Sequence, residues 1–387
     1  MADGGDRLSI RVVEQLKDVP AAAWDACAGG DNPFLAHAFL EALEASRSAV
    51  SRTGWLPQHL VLEDQAGRVL GAVPMYLKSH SYGEYVFDHG WASALERAGG
   101  RYYPKLLSAV PFTPATGPRL LVHPAAAPDT ADLLVAAMVE VARRHKVSSL
   151  HVNFPTEGEW DRLGTAGFLQ RVGRQFHWEN QGYTTFDDFL GALNARKRKQ
   201  IRRERRDALA AGVEIETLTG SDLETRHWDA FFDFYISTSD RKWGSAYLTR
   251  AFFDLLGARM ADQIVLVMAR QGKRYVAGAL NLCGTDTLYG RNWGCNGDFP
   301  FLHFEACYYR AIDFAIARGL KRVEAGAQGQ HKIQRGYLPM PTYSAHWIRD
   351  PAFARAVEEF LARERRAVEH EMDSLEEALS PFRHDPE

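Results

Sequence analysis

Gly167-Phe-Leu-Gln-Arg-Val-Gly-Arg-Gln-Phe-His-Trp178 recurs later as Gly336-Tyr-Leu-Pro-Met-Pro-Thr-Tyr-Ser-Ala-His-Trp347. In each, a Gly-aromatic-Leu step leads at the same offset into His177-Trp178 or His346-Trp347. Working outward, three more segments repeat in the same order. Glu14-x-Leu16 before Trp24-Asp25-Ala26 matches Glu216-x-Leu218 before Trp228-Asp229-Ala230. Phe34-Leu-Ala-His-Ala-Phe-Leu-Glu-Ala-Leu43 matches Tyr247-Leu-Thr-Arg-Ala-Phe-Phe-Asp-Leu-Leu256, and residues 60–77 match 266–282. One such match arises by chance; four in register and in order indicate a tandem duplication.

Each copy reads alike. A strand (8–13; 213–218) precedes helical segments (21–27 and 34–46; 222–238 and 246–259). A hairpin then turns at Ala66-Gly67 or Gln271-Gly272, where Gly beside polar residues separates two β-rich runs. A short aromatic strand is expected next, Tyr85-Val-Phe87 running to Trp91 in one copy and Thr287-Leu-Tyr289 to Trp293 in the other. Apolar residues at helical spacing follow (Leu133, Leu134, Ala137, Met138, Val141; Ala306, Tyr309, Ile312, Phe314, Ile316). A core strand (150–154; 322–325) and the His-Trp strand complete the copy. The expected class is α/β with a mixed sheet, the helix covering the sheet.

Composition is that of a globular chain, 46% hydrophobic and 25% charged, and its 387 residues suit two domains of about 150–200 residues. The net charge of −3 gives no bulk affinity for polyanions. The N-terminus lacks a secretory pattern, and no run approaches about eighteen apolar residues, so a cytoplasmic location without a transmembrane segment is expected. Cys27, Cys283, Cys295 and Cys307 form no C-x-x-C pair and read as reduced thiols; no metal site is expected. Serine-hydrolase elbow, H-E-x-x-H, Walker and Rossmann motifs are all missing.

This layout resembles the GNAT acyltransferase fold, and Leu163-x-x-x-Gly167-Phe168 is similar to a step after its fourth helix. Two such domains joined by a basic helix resemble the Fem-type peptidoglycan aminoacyltransferases. More closely, the chain resembles the bacterial FemAB-like N-acyltransferase family. Asn32-Pro-Phe-Leu35, Lys78-Ser-His-Ser-Tyr-Gly-Glu-Tyr-Val-Phe-Asp88, Tyr102-Tyr-Pro-Lys105, Pro111-Phe-Thr-Pro114, Asp240-Arg-Lys-Trp243, Arg291-Asn-Trp-Gly-Cys295 and Glu324-Ala-Gly-Ala-Gln-Gly-Gln-His-Lys332 carry that resemblance. It implies two tandem GNAT-like domains, 1–185 and 213–350, a basic linker helix at 186–212 and a C-terminal helix at 351–387. It also implies transfer of an activated acyl group onto an amine acceptor in cell-wall precursor metabolism. The alternative is a catalytically degenerate acyltransferase fold that binds RNA or a precursor. Nothing in the sequence fixes the oligomeric state.

In Asn194–Arg206 eight of thirteen residues are Lys or Arg. Ile201 and Leu209, about two turns apart, would share the docked face. Arg196, Lys197, Arg202 and Arg203 would then meet phosphates of a tRNA or a nucleotide-linked precursor, or be a solvated surface. Amine attack on an acyl carbon needs a base, an oxyanion site and a proton for the leaving group. Glu324 is the candidate base, with a structural ion pair to Arg322 or Lys332 as its other reading. His331 and Tyr289 are the further catalytic candidates. Arg291, Asn292, Trp293, His303, Glu305 and Lys332 are candidate substrate contacts in the second copy, with Lys242 at the end of a helix there; Lys78, His80, Tyr82, Asp88 and Lys105 are those in the first. The donor is an acyl-CoA or an aminoacyl-tRNA. The pyrophosphate loop usual before the long helix in CoA-dependent GNAT domains is replaced by Asn296-Gly-Asp-Phe-Pro-Phe-Leu-His303, which disfavours CoA.

Overall fold

The computed structural model describes residues 8–210, 212–243, 246–326 and 329–383, with the backbone alone over 239–243. Two compact units result, Met1–Gly173 with Thr342–Val368, and Arg174–Pro341 with Glu369–Glu387. Each unit therefore draws its last strand from the other repeat.

In chain order the first repeat forms β1 (Ser9–Val13), α1 (Ala21–Ala28), α2 (His37–Ala45), β2 (Trp55–Pro57), β3 (His59–Glu63), β4 (Val69–Val73), β5 (Met75–Lys78), α3 (His89–Arg97), β6 (Lys105–Ser108), β7 (Leu121–Val122), α4 (Thr130–Arg144), β8 (Ser149–Asn153), α5 (Glu157–Thr165) and β9 (Leu169–Glu179). Next come α6 (Phe186–Ala192), α7 (Ala195–Leu209), β10 (Val213–Leu218), α8 (Thr225–Trp243), α9 (Arg250–Met260), β11 (Ile264–Gln271), β12 (Arg274–Cys283), β13 (Thr287–Cys295), α10 (Leu302–Phe304), α11 (Arg310–Ala317), β14 (Arg322–Glu324), β15 (Leu338–Ile348) and α12 (Pro351–Leu379). A π-helical turn, Glu305–Tyr309, joins α10 to α11.

In the first unit β1-β3-β4-β7 form one sheet, while β2-β5-β6-β8 form another that Ser344–Ile348 of β15 extends. Pro74, which has no N–H to give a ladder, separates β4 from β5 where the chain changes sheets. β6 and β8 run parallel. The α4 residues Leu134, Val135, Met138 and Ala142 lie on Leu60, Leu106, Leu150 and Val152. In the second unit β10-β11-β12-β13 form an antiparallel meander, β14 joins β13 in parallel, and His177–Glu179 of β9 close the other side of β14. Its core sets Tyr309, Ile312 and Ala315 against Leu288, Val323 and Trp178. The repeats pair equivalently: Trp178 and His177 face Val323 and Glu324, as Trp347 and His346 face Leu150 and His151.

Two sequence expectations fail. Tyr85-Val-Phe87 is no strand, and Trp91 sits on α3 rather than in register with Trp293. The segment 79–88 is irregular because its polar groups bond to buried lysines instead of to a ladder, and Tyr85 adopts a φ of 59°. β6 takes the expected strand's place beside β8. On α7 the buried residues are Ile201, Glu204 and Ala208, at spacings of three and four, whereas Leu209 is 36% exposed. Among the described residues no helix is long and apolar enough to cross a membrane.

Candidate functional site

The parallel ladder of β13 and β14 ends at the pair Tyr289–Glu324, while β13 continues to Cys295 paired on its β12 side. One backbone edge of β13 is thus not taken by β14 beyond Glu324. A bulge at Arg291, between the pairs Asn281–Gly290 and Leu280–Asn292, turns β13 just past the vertex; bulges commonly re-aim side chains beside sites. Glu324 is 4% exposed, between Tyr289 on β13 and His177 on β9. Burial, and then the Glu324 charge, push the Tyr289 phenol well above its usual range, so it stays a proton donor. Burial, with Arg322 and Lys332 behind it, holds His177 down to about 3, hence neutral.

Lys332 is buried, and its Nζ donates to the carbonyls of Ala325 and, at 3.2 Å, of Gly326, so it pins the chain leaving β14. Burial lowers its ammonium to about 8. The expected wall divides. Alternation along β13, corrected for the bulge, puts Asn292 on the face of Tyr289 and Glu324. Trp293 lies on the opposite face, packed on Ala306 and Cys307 of the π turn. There its ring is 5.3 Å from that of His303, which lies 5.3 Å from Tyr308 and 6.2 Å from His331. Tyr308 and His331 Nε2 share a 3.1 Å hydrogen bond, and burial, then Arg335 and Lys332, lowers the His331 imidazole. Arg291 is half-buried on the bulge. Glu305 is not a substrate contact: it is fully buried, and Arg205 and Arg310 both bind its carboxylate.

In the first unit Lys78, Asp88 and Lys105 do come together. Lys105 Nζ reaches Ser81 at 2.8 Å, Glu84 at 2.7 Å and Asp88. Lys78 Nζ donates to the Tyr82 carbonyl at 3.3 Å and lies 3.6 Å over the Trp55 ring. Burial lowers Lys78 to about 7 against the pull of Glu84, and burial raises Glu84 to about 6. Burial would also raise Asp88, but Lys105 and His151 together outweigh it and hold that carboxyl low. His80 is half-buried and Tyr82 is 62% exposed, their rings 5.1 Å apart, so both lie outside the buried cluster. Sequence reasoning missed Glu84, His151 and His346 as members of this network. Tyr102 donates to Asp88 at 2.7 Å and meets His151 Nε2 at 3.2 Å, and His151 Nδ1 meets His346 Nδ1 at 2.7 Å. His346 reaches this network because β15 pairs with β8, which sets it opposite His151.

On α7, Arg196, Arg202 and Arg203 are exposed, the last two in surface pairs with Asp187 and Asp207. Lys197 is turned inward, 2.9 Å from Gln334 Oε1, and leaves the phosphate set. The Lys242 side chain lies outside the described residues. The four cysteines are free thiols, and among the described residues no three His, Cys, Asp or Glu side chains are grouped to hold a metal.

A family model described as peptidoglycan biosynthesis/recognition matches residues 15–384. Among curated proteins no sequence matches this chain. Of solved structures, the C-terminal domain of a protein named as a lysylphosphatidylglycerol synthetase from Agrobacterium fabrum superposes with a TM-score of 0.55 at 11% identity, over 88% of this chain and 94% of that one. FemX superposes with a TM-score of 0.54 at 12% identity, over 88% and 98%. A tandem GNAT protein from the clavulanic acid biosynthesis pathway gives 0.48 at 13%, over 89% and 99%. The fold is mixed α/β, in two compact units, and is shared with FemX.

Proposed function

The chain belongs to the FemAB-like family, and from that premise we propose that it is an N-acyltransferase moving an aminoacyl group from a tRNA ester onto the amine of a peptidoglycan precursor. The observation that carries this reading is the ladder ending at Tyr289–Glu324 while β13 runs on to Cys295. The edge of β13 that β14 leaves beyond Glu324, beside a buried carboxylate and a protonated phenol, offers the three groups acyl transfer needs. The acceptor ammonium gives a proton to Glu324, directly or through water. Its nitrogen then attacks the ester carbonyl, whose oxyanion is stabilised by backbone N–H groups of β13. As the tetrahedral intermediate collapses the C–O bond breaks; Tyr289 gives its proton to the departing tRNA oxygen and takes back the second proton that the nitrogen sheds on becoming an amide. Arg196, Arg202 and Arg203 on α7 suit the polyanionic donor, since exposed ion pairs are weak and yield to phosphate. The segment Asn296–His303, with an acid and a proline, supports an aminoacyl ester over CoA.

Glu324→Gln keeps size but cannot take the proton. Single-turnover assays with aminoacyl-tRNA and, in parallel, acyl-CoA should show a loss of about 10²–10⁴-fold for the variant, with binding and folding retained. The deficit should narrow as pH rises and more of the amine is neutral. If the variant loses stability while turnover per folded molecule is unchanged, Glu324 is structural. Donor binding without any turnover in the natural protein would favour the degenerate, binding-only reading.

A further inference from the structure

The face of the first unit's second sheet that α4 does not cover is charged. Lys78 and Lys105 are cross-strand partners on it, with His151 and Asn153 beside them on β8. Segment 79–88 lies over that face, tied down by Lys105 through Ser81, Glu84 and Asp88 and by Lys78 through the Tyr82 carbonyl. The segment buries its carboxylates and exposes its rings: Glu84 and Asp88 are 4% and 2% exposed, Tyr82 and Phe87 both 62%.

This closed arrangement satisfies its polar groups poorly. Trp55 Nε1, the Tyr76 hydroxyl, Glu84 Oε1, Asp88 Oδ1 and Asn153 Oδ1 are all buried without a hydrogen-bond partner among the described residues. Lys78 Nζ makes one long hydrogen bond and stands 3.8 Å from Glu84 Oε1. Each unmet buried group penalises the closed state, so a ligand that meets them competes with the segment for the face. The unmet groups have two signs: an under-used ammonium with an indole N–H beside it, and two carboxylate oxygens with an amide oxygen beside them. A dianion would be repelled by Glu84 and Asp88, a simple cation by the lysines, and a neutral polyol would leave the charges uncompensated.

We propose that segment 79–88 is a lid over a binding face for a small zwitterion, an amino acid or dipeptide, whose carboxylate takes Lys78 and Trp55 Nε1 and whose ammonium takes Glu84 and Asp88. This site is separate from the Tyr289–Glu324 vertex and does not rest on the transferase reading. The segment's φ of 59° at Tyr85, uncommon for a bulky residue, fits a conformation held by its lysine clamp rather than by local preference.

Calorimetry on the full chain with L-alanine and glycylglycine, against acetate, methylammonium, inorganic phosphate and glycerol, tests the class. Saturable binding of the zwitterions, at least tenfold tighter than of any control, is expected. Amide exchange over 79–88 should change on binding while that of α4 does not. Lys78→Met should weaken binding at least tenfold. Should that variant fail to fold, Asn153→Leu, which removes an oxygen without a partner among the described residues and one 3.5 Å bond from Nδ2 to the Glu84 carbonyl, should keep the fold and weaken binding severalfold. The proposal is overturned if no zwitterion binds saturably, if glycerol or phosphate binds as well, or if the folded variant tested binds like the natural protein.

Discussion

Replacing Glu204 tests whether α7 is a connector or an integral part of the second unit. Its carboxylate, 4% exposed, accepts from Arg335 Nε at 3.1 Å, Arg335 Nη2 at 2.8 Å, Gln200 Nε2 at 2.9 Å and the Tyr309 hydroxyl. Arg335 is equally buried; it also donates to the His331 carbonyl at 2.7 Å and stacks 3.5 Å over Phe304. Glu204→Gln therefore leaves a buried guanidinium with no carboxylate partner among the described residues. Removing one side of a buried pair costs about 3–5 kcal/mol, and Gln, which keeps one acceptor oxygen, should fall near the lower end. Glu204→Met with Arg335→Met removes both charges and their desolvation penalty, so the double variant should come back to within about 1 kcal/mol of the natural protein. Urea unfolding of Glu204→Gln, of Glu204→Met and Arg335→Met singly, and of the double variant, followed by tryptophan fluorescence and circular dichroism, closes the cycle. A Glu204→Gln change under about 0.5 kcal/mol, or a double variant as weak as the sum of the singles, would refute the reasoning.

Lys78, lowered to about 7 from 10.5, sheds its proton in the folded protein while the unfolded chain keeps one. Stability should thus rise with pH above about 7, by up to about 1.4 kcal/mol per unit for this group, and Lys78→Met should flatten that rise in urea titrations at pH 7 and 9. Gly336 has a φ of 90°, and an added Cβ would sit 2.8 Å from Phe189 Cζ. Gly336→Ala should cost about 2–4 kcal/mol from backbone strain and overpacking, seen as a lower urea midpoint. Gln at Arg196, Arg202 and Arg203 together should weaken tRNA binding and lower its salt slope by roughly one unit per lost phosphate contact, with the melting curve unmoved. An unchanged slope in filter-binding assays would remove α7 from the donor surface.

Much of this was legible in the chain. The hairpins at Ala66-Gly67 and Gln271-Gly272, the helix under Leu134 and Met138, and the strands ending in His177-Trp178 and His346-Trp347 follow from local turn chemistry and periodicity. The grouping of Lys78, Asp88 and Lys105 was also visible, as charges in two short aromatic segments. Glu84 was not singled out, because a lone Glu between Gly83 and Tyr85 has the pattern of a solvated turn, and it is drawn inward by Lys105 from β6 and Lys78 from β5. Tyr85-Val-Phe87 carried β-forming residues, yet long-range ion pairs to the flanking acids overrode that propensity.

What the sequence alone determined is the duplication, the mixed α/β class and the family. The first two rest on period and order, which are properties of neighbouring residues; the family rests on the resemblance of the quoted motifs. The tertiary structure alone decided which strand each His-Trp segment joins. His177 lies beside Glu324 and His346 beside His151, so each repeat's last strand completes the sheet of the unit founded on the other repeat. A period-two pattern gives a strand its buried face but says nothing of its ladder partner. Backbone N–H and C=O groups are chemically alike along every strand, and only global packing selects among them.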